Sequence, residues 1–299
     1  MKYFYKLFDY INNILSPTFF GNGNLLSYNI FNMFFKKNII NKMYKKNNQT
    51  IDGYEKNGYV KLNSIPEDQI YELNTLLMKY NTPKIDENYC YNFVINTEIL
   101  NKVKNIIDQN FSIFLKNFSN FYNMKIKLGH IQIKRNYPIP QNYTKEAYSN
   151  FFHCDAYTLN LFKIFINLQD IDETNGPFIL VKKNQAKSFI KKSNYKNRLL
   201  YDEKKAKDCY FVNTGQKGDS LLCNTTELLH RAGNVQSGKH RDVLFLDFVA
   251  YPFYKNYSLD ENNDSIIKGD IVKKIAKPKG IKELIKLYAF CNKNKLRNN

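Results

Sequence analysis

Residues 218–249 read GDSLLCNTTELLHRAGNVQSGKHRDVLFLDFV. Gly218-Asp219 is a turn signal that feeds the short apolar run Ser220–Cys223. His230 follows after a short connection, and Arg241 opens the apolar run Val243–Val249. Brief apolar runs set between turn residues predict consecutive β-strands rather than helices.

The pattern extends outward from there. After residue 124, β-rich runs alternate with turn signals: Lys125–Lys134, Phe162–Leu168, Pro177–Lys182, Ser220–Cys223 and Asp242–Tyr251, with Asn175-Gly176 and Lys217-Gly218-Asp219 as turn markers. Before residue 124 the chain is more helical. Tyr59–Leu62 is a strand candidate, after which Ser64 is placed to cap a helix, with Glu67 completing a capping box. Ile70, Leu73, Leu77 and Tyr80 give that helix one apolar face, and Leu100, Val103, Ile107, Phe111 and Phe114 predict one further helix. The fold class is therefore mainly β with flanking helices, a sandwich or barrel.

Three regions are expected: a helical N-terminal extension and linker over 1–50, an organised domain over 51–255, and a basic C-terminal segment over 256–299 with a helix at 281–290. In the extension, Phe4, Leu7, Phe8, Ile11, Ile14 and Leu15 fall at helical spacing. Residues 1–46 are read as helices packed on the main domain, with peripheral membrane contact as the alternative. Residues 45–50 read as linker.

The chain has 299 residues, with 23 Tyr, 23 Phe and no Trp, enough for a sizeable core. No apolar run approaches the ~18–20 residues that a membrane-spanning helix needs. The five cysteines are scattered, which suits free thiols and a cytoplasmic setting better than a disulfide framework. The net charge of +18 invites a polyanion partner. However, the lysines are spread along the chain in a sequence rich in Lys, Asn, Ile, Tyr and Phe, as A/T-rich coding produces. Nucleic acid is therefore not expected as a partner.

Only four histidines are present, at 130, 153, 230 and 240. His153 and Asp155 form a His-x-Asp pair, and on a strand these two side chains point to one face. With His230 from a distant strand they would complete a 2-His-1-carboxylate triad, which leaves coordination positions open and marks non-haem Fe(II) oxygenases. Arg241, inside a barrel, needs an anion to offset its burial. A dicarboxylate cosubstrate supplies one, and a pairing with Asp242 or Asp247 is the alternative.

Four segments, taken in order, resemble the phytanoyl-CoA dioxygenase family across residues 51–255. They are Tyr54–Leu62 with the helix start after it, Phe152-His153-Cys154-Asp155, the turn from Leu168 through Asn175-Gly176-Pro177 to Phe178, and Gly218 through His230 to Arg241, eleven residues on. The resemblance implies a double-stranded β-helix, or jelly roll. It implies iron ligation by His153, Asp155 and His230, and Arg241 on the far carboxylate of 2-oxoglutarate, which takes two of the three remaining metal positions. Gln132, Asn136 and Phe165 fall where some members line the cosubstrate pocket; ordinary strand polarity and plain core are the alternatives.

The implied activity is an Fe(II)/2-oxoglutarate-dependent dioxygenase that consumes O2, hydroxylates an unactivated C–H bond of a small or conjugated metabolite, and releases succinate and CO2. An anionic substrate bearing phosphate or CoA is compatible with the charge. The competing expectations are a catalytically inactive binding protein on the same fold and a basic nucleic-acid-binding protein. Two departures stand out. Ala232 stands where many members carry a Ser or Thr that helps hold the far carboxylate of 2-oxoglutarate, which bears on the cosubstrate grip, and Val181-Lys-Lys-Asn-Gln replaces the usual Pro-Gly-Ser-His, which bears on the substrate.

Overall fold

The computed structural model describes residues 49–122, 124–153, 155, 161–193, 203–225, 228–252 and 263–271. The helices expected at the N-terminus and at 281–290 lie outside them. Helix α1 (Gln49–Asn57) opens the described chain, so Gln49 and Thr50, read above as linker, already belong to a helix. Strand β1 (Tyr59–Leu62) follows as predicted.

Helix α2 (Glu67–Tyr80) buries Ile70, Leu73 and Leu77, the apolar stripe expected of it. Its cap corrects the sequence reading. Pro66 occupies the N-cap without a side-chain cap bond, and Ser64 instead donates its hydroxyl to Asp219 at 2.6 Å. Ile65 N–H donates to the Gly218 carbonyl alongside. Ser64 is used to tie the helix entry to the Gly218-Asp219 turn, a long-range bond that local spacing cannot announce.

Strand β2 (Cys90–Asn92) precedes α3 (Thr97–Asn110) and α4 (Ser112–Tyr122). The single helix expected from Leu100 to Phe114 is thus two, broken at Phe111, whose backbone (φ −120°, ψ −9°) leaves the helix. Phe111 is fully buried there, so packing of its ring outweighs helix continuity.

Strands β3 (Met124–Asn136), β4 (Leu161–Asn167), β5 (Phe178–Val181), β6 (Tyr210–Asn213), β7 (Ser220–Cys223), β8 (His230–Ala232) and β9 (Arg241–Pro252) complete the sheets, with helix α5 (Ala186–Ser193) between β5 and β6 and α6 (Asn263–Ile267) after β9. The expected strands fall within these bounds or differ by a residue or two. Strands β2 and β6 were not foreseen, and β8 was expected only as the strand that carries His230, without bounds; runs of three or four residues carry too little alternation to read.

The strands form a six-stranded sheet, β1-β7-β4-β9-β3-β2, and a three-stranded sheet, β6-β5-β8. Alternation decides what each face does. Phe162, Ile164 and Ile166 of β4 and Leu244, Leu246 and Phe248 of β9 join Leu73, Leu77, Leu100 and Val103 in the main core, so the helices cover this face. Their alternates, Lys163, Phe165, Val243, Phe245 and Asp247, face the small sheet. Phe165, Leu221 and Cys223 pack there against Phe178 and Leu180. A bulge in β3 between Leu128 and His130 shifts the register and brings His130 opposite Asp247 on this inner face.

Candidate metal centre

His230 lies on β8, and His153 pairs with it through an isolated β-bridge. The two exchange backbone bonds: His153 N–H donates to His230 O at 3.0 Å, and His230 N–H donates to His153 O at 2.9 Å. The His-x-Asp segment was expected on a regular strand; its described residues instead hang on this bridge and on Asp155 N–H donating to Thr225 O at 2.9 Å. Both attachments are to the 224–232 segment, so one stretch of backbone positions all three side chains.

The ligand atoms of His153, Asp155 and His230 lie within 4.8 Å of one another, and all three residues are buried. Asp155 Oδ1 is 3.8 Å from Nε2 of His153 and 3.8 Å from Nε2 of His230. Ligand atoms bonded at about 2.0–2.2 Å to one ion on adjacent octahedral or tetrahedral positions stand roughly 3–3.6 Å apart, so the 3.8 Å spacing is slightly open and needs only a small closure of the side chains to take a metal. The imidazoles are also in the right form. Nδ1 of His153 is 2.8 Å from the Phe151 carbonyl and Nδ1 of His230 is 2.9 Å from the Leu228 carbonyl. A carbonyl only accepts, so each Nδ1 carries the proton and each Nε2 presents a lone pair.

Two residues complete the surroundings: Lys163, which sequence reasoning missed, and Asp247, which it weighed only as a partner for Arg241. Lys163 Nζ is 2.8 Å from Asp155 Oδ2 and 3.7 Å from Asp247 Oδ1, ion-pair contacts whose geometry falls short of a hydrogen bond to either oxygen. Burial opposes the charge on Asp155, but Lys163, then His230 and His153, hold its carboxyl well below the usual range. Burial likewise opposes the charge on Lys163, and Asp155 and Asp247 overcome it, holding the amine above its usual value. The alternation of the predicted strand Phe162–Leu168 was the available signal: it places Lys163 on the face of Phe165.

Arg241 opens β9, 4% exposed. Its Nη1 donates to the Gly176 carbonyl at 2.6 Å. Among the described residues no carboxylate pairs with it, and its Nε has no hydrogen-bond partner. The two acids considered for it are engaged elsewhere. Asp242 takes Nε and Nη2 of Arg135 at 2.7 and 2.6 Å, and Asp247 faces Lys163 and His130. Burial pulls the guanidinium down to about 10 from its ordinary 12.5, with Tyr148 partly offsetting this.

Asn136 stands directly opposite Arg241 across β3 and β9. Its Oδ1, and Nδ2 of Asn167 on the other side of β9, are buried and also lack partners among the described residues. Gln132 sits further along the same face, opposite Phe245. Phe165 stacks at 4.2 Å on Phe178, whose ring is 5.5 Å from that of His230. Ala232 is buried on β8 and its N–H donates to Ser149 O at 3.0 Å.

No family model and no curated protein sequence matches the chain. Among solved structures, HygX from Streptomyces hygroscopicus with nickel and 2-oxoglutarate bound is similar over 73% of this chain and 93% of its own, at 12% identity and a TM-score of 0.50. The fold is a double-stranded β-helix. The non-heme alpha ketoglutarate dependent epimerase SnoN from nogalamycin biosynthesis is similar at 10% identity and a TM-score of 0.48, covering 72% of this chain and 92% of its own. EctD from S. alaskensis with 2-oxoglutarate and 5-hydroxyectoine is similar at 14% identity and a TM-score of 0.46, covering 71% and 80%. In the double-stranded β-helix of this chain, the small sheet carries His230, the large sheet carries Arg241 and Lys163, and the triad sits between the sheets. The described part holds no helix long and apolar enough to cross a membrane.

Proposed function

We propose that the chain is an Fe(II)- and 2-oxoglutarate-dependent oxygenase that hydroxylates an unactivated C–H bond of a small or conjugated metabolite, with release of succinate and CO2. The observation that carries this reading is the pairing of two features between the same sheets. One is a buried 2-His-1-carboxylate cluster; the other is a buried guanidinium with no carboxylate among the described residues. HygX, of the same fold, has nickel and 2-oxoglutarate bound.

His153 Nε2, His230 Nε2 and Asp155 Oδ1 would hold the iron, leaving the remaining positions open. The bound iron, with the 2-oxoacid and O2, supplies oxidising power that no side chain has. The chain supplies geometry. Carbonyls of Phe151 and Leu228 orient the imidazoles. Arg241, steadied by the Gly176 carbonyl, offers Nε and its remaining N–H groups to the far carboxylate of 2-oxoglutarate. Asn136 and Asn167 flank that position with unused polar atoms, and Gln132 lines the approach. Phe165, Phe178 and Phe245 keep the neighbouring wall apolar.

Succinate release tests the reading. Purified protein with Fe(II), 2-oxoglutarate and O2 should release succinate slowly even without substrate, and the Asp155→Ala variant should release none. Iron binding without succinate, across a metabolite panel that includes acyl-CoA thioesters and phosphorylated compounds, would favour the inactive binding protein instead.

A further inference from the structure

A row of charge crosses the inner face of the large sheet from the metal centre outward. Lys163 of β4 stands opposite Asp247 of β9, and Asp247 stands opposite His130 of β3. The spacings are 2.8 Å from Asp155 Oδ2 to Lys163, 3.7 Å from Lys163 to Asp247 Oδ1, and 3.4 Å from Asp247 Oδ2 to His130 Nδ1. The side chains of Lys163 and Asp247 are only 17% and 10% exposed. Burying such a row costs desolvation that mutual attraction only roughly offsets, so stability alone is a weak reason for it. Its inner end makes the two oxygens of Asp155 unequal: Oδ1 faces both Nε2 atoms at 3.8 Å, and Oδ2 faces the ammonium.

We propose that Lys163 is a positioning residue that confines Asp155 to one-oxygen metal ligation, and that Asp247 anchors Lys163 for this task. This rests on the metal-centre reading above. A carboxylate can bind a cation through one oxygen or through both. Turning Oδ2 to the metal would strip Lys163 of its nearest anion in a buried site. One-oxygen ligation by Asp155 beside the two imidazoles would leave three of six positions open on a bound ion, so one would remain once 2-oxoglutarate took two. Two-oxygen ligation would leave none.

Nitric oxide is the probe for that remaining position. It is titrated anaerobically into the full-length Fe(II)-loaded protein, with and without saturating 2-oxoglutarate, and the adduct is read by its high-spin paramagnetic resonance signal. The deciding variant combines Lys163→Met with Asp247→Leu, which removes one charge of each sign and keeps the local net charge. Without 2-oxoglutarate the variant should bind nitric oxide within about twofold of wild type; with it, about tenfold or more weakly. Lys163→Arg should behave as wild type in both. Equal affinity with 2-oxoglutarate would overturn the proposal, and so would equal weakening in both conditions, which signals general damage. If the double variant fails to fold or load iron, Lys163→Gln, which removes the ammonium that holds Oδ2, carries the same expectation at about threefold, and no 2-oxoglutarate-dependent loss there overturns the proposal. Wild-type protein that binds no iron, or whose adduct ignores 2-oxoglutarate, overturns the metal-centre reading itself.

Discussion

His153 and His230 are direct partners in an isolated β-bridge, each accepting the other's backbone N–H at 2.9–3.0 Å. The imidazoles that face Asp155 are therefore aligned by main-chain bonds that survive side-chain truncation. His153→Ala and His230→Ala should fold, at a cost within the ordinary ~0.5–3 kcal/mol of single substitutions, yet lose the metal. Thermal unfolding with added Ni(II) checks this. The wild type should gain stability with metal, because the ligand binds only the folded state, and both variants should gain none.

Arg241 should be a burden until its anion arrives. Arg241→Met removes a buried charge that has no carboxylate among the described residues, so the variant should be at least as stable as wild type without 2-oxoglutarate. At 100 times its dissociation constant, 2-oxoglutarate should stabilise the wild type by about 2.7 kcal/mol and leave the variant unchanged. Denaturant unfolding in both conditions measures this; a variant that is less stable and still responds would remove Arg241 from the pocket.

Gly176 joins the turn to the site. It holds φ at 69°, and a Cβ there would stand 2.6 Å from the Gly233 carbonyl. Its own carbonyl holds Arg241. Gly176→Ala should cost about 1–3 kcal/mol in backbone strain, and 2-oxoglutarate affinity should fall with it. Calorimetric titration of the variant against wild type reads the second effect.

Cys90 offers a pH signature away from the metal. Burial, and then the Asp86 carboxylate, push its thiol up to about 11 from 9.0. A raised value means that the folded state keeps its proton longer than the unfolded one. The contribution is complete below pH ~9 and is lost as pH rises from there through ~11. The stability difference between wild type and Cys90→Ala should therefore shift against the wild type across that window and be flat below it. A flat difference throughout would mean that the thiol titrates normally.

The strands that build the large sheet were legible because Phe162–Leu168 and Asp242–Tyr251 are sustained apolar, β-rich runs. The triad was legible because few histidines exist and two of them fall in recognisable company. The remainder depends on pairing. Ser64 has the spacing of a cap and spends its hydroxyl on Asp219, far away in the chain. Phe111 has the spacing of a helix interior and ends the helix, because its ring is needed in the core. Lys163 looks like strand polarity until β4 is set beside β9, when Asp247 comes opposite and Asp155 falls within reach. Register, which joins such residues, is a property of two strands at once.

The most direct measurement is an anaerobic Fe(II) titration, with and without 2-oxoglutarate, watched for the weak visible metal-to-ligand charge-transfer band. If the triad and Arg241 hold iron and 2-oxoglutarate as proposed, the wild type shows a band that requires both components and His153→Ala shows none. Well-folded wild-type protein that gives no band, or a band that survives in His153→Ala, would contradict that assignment.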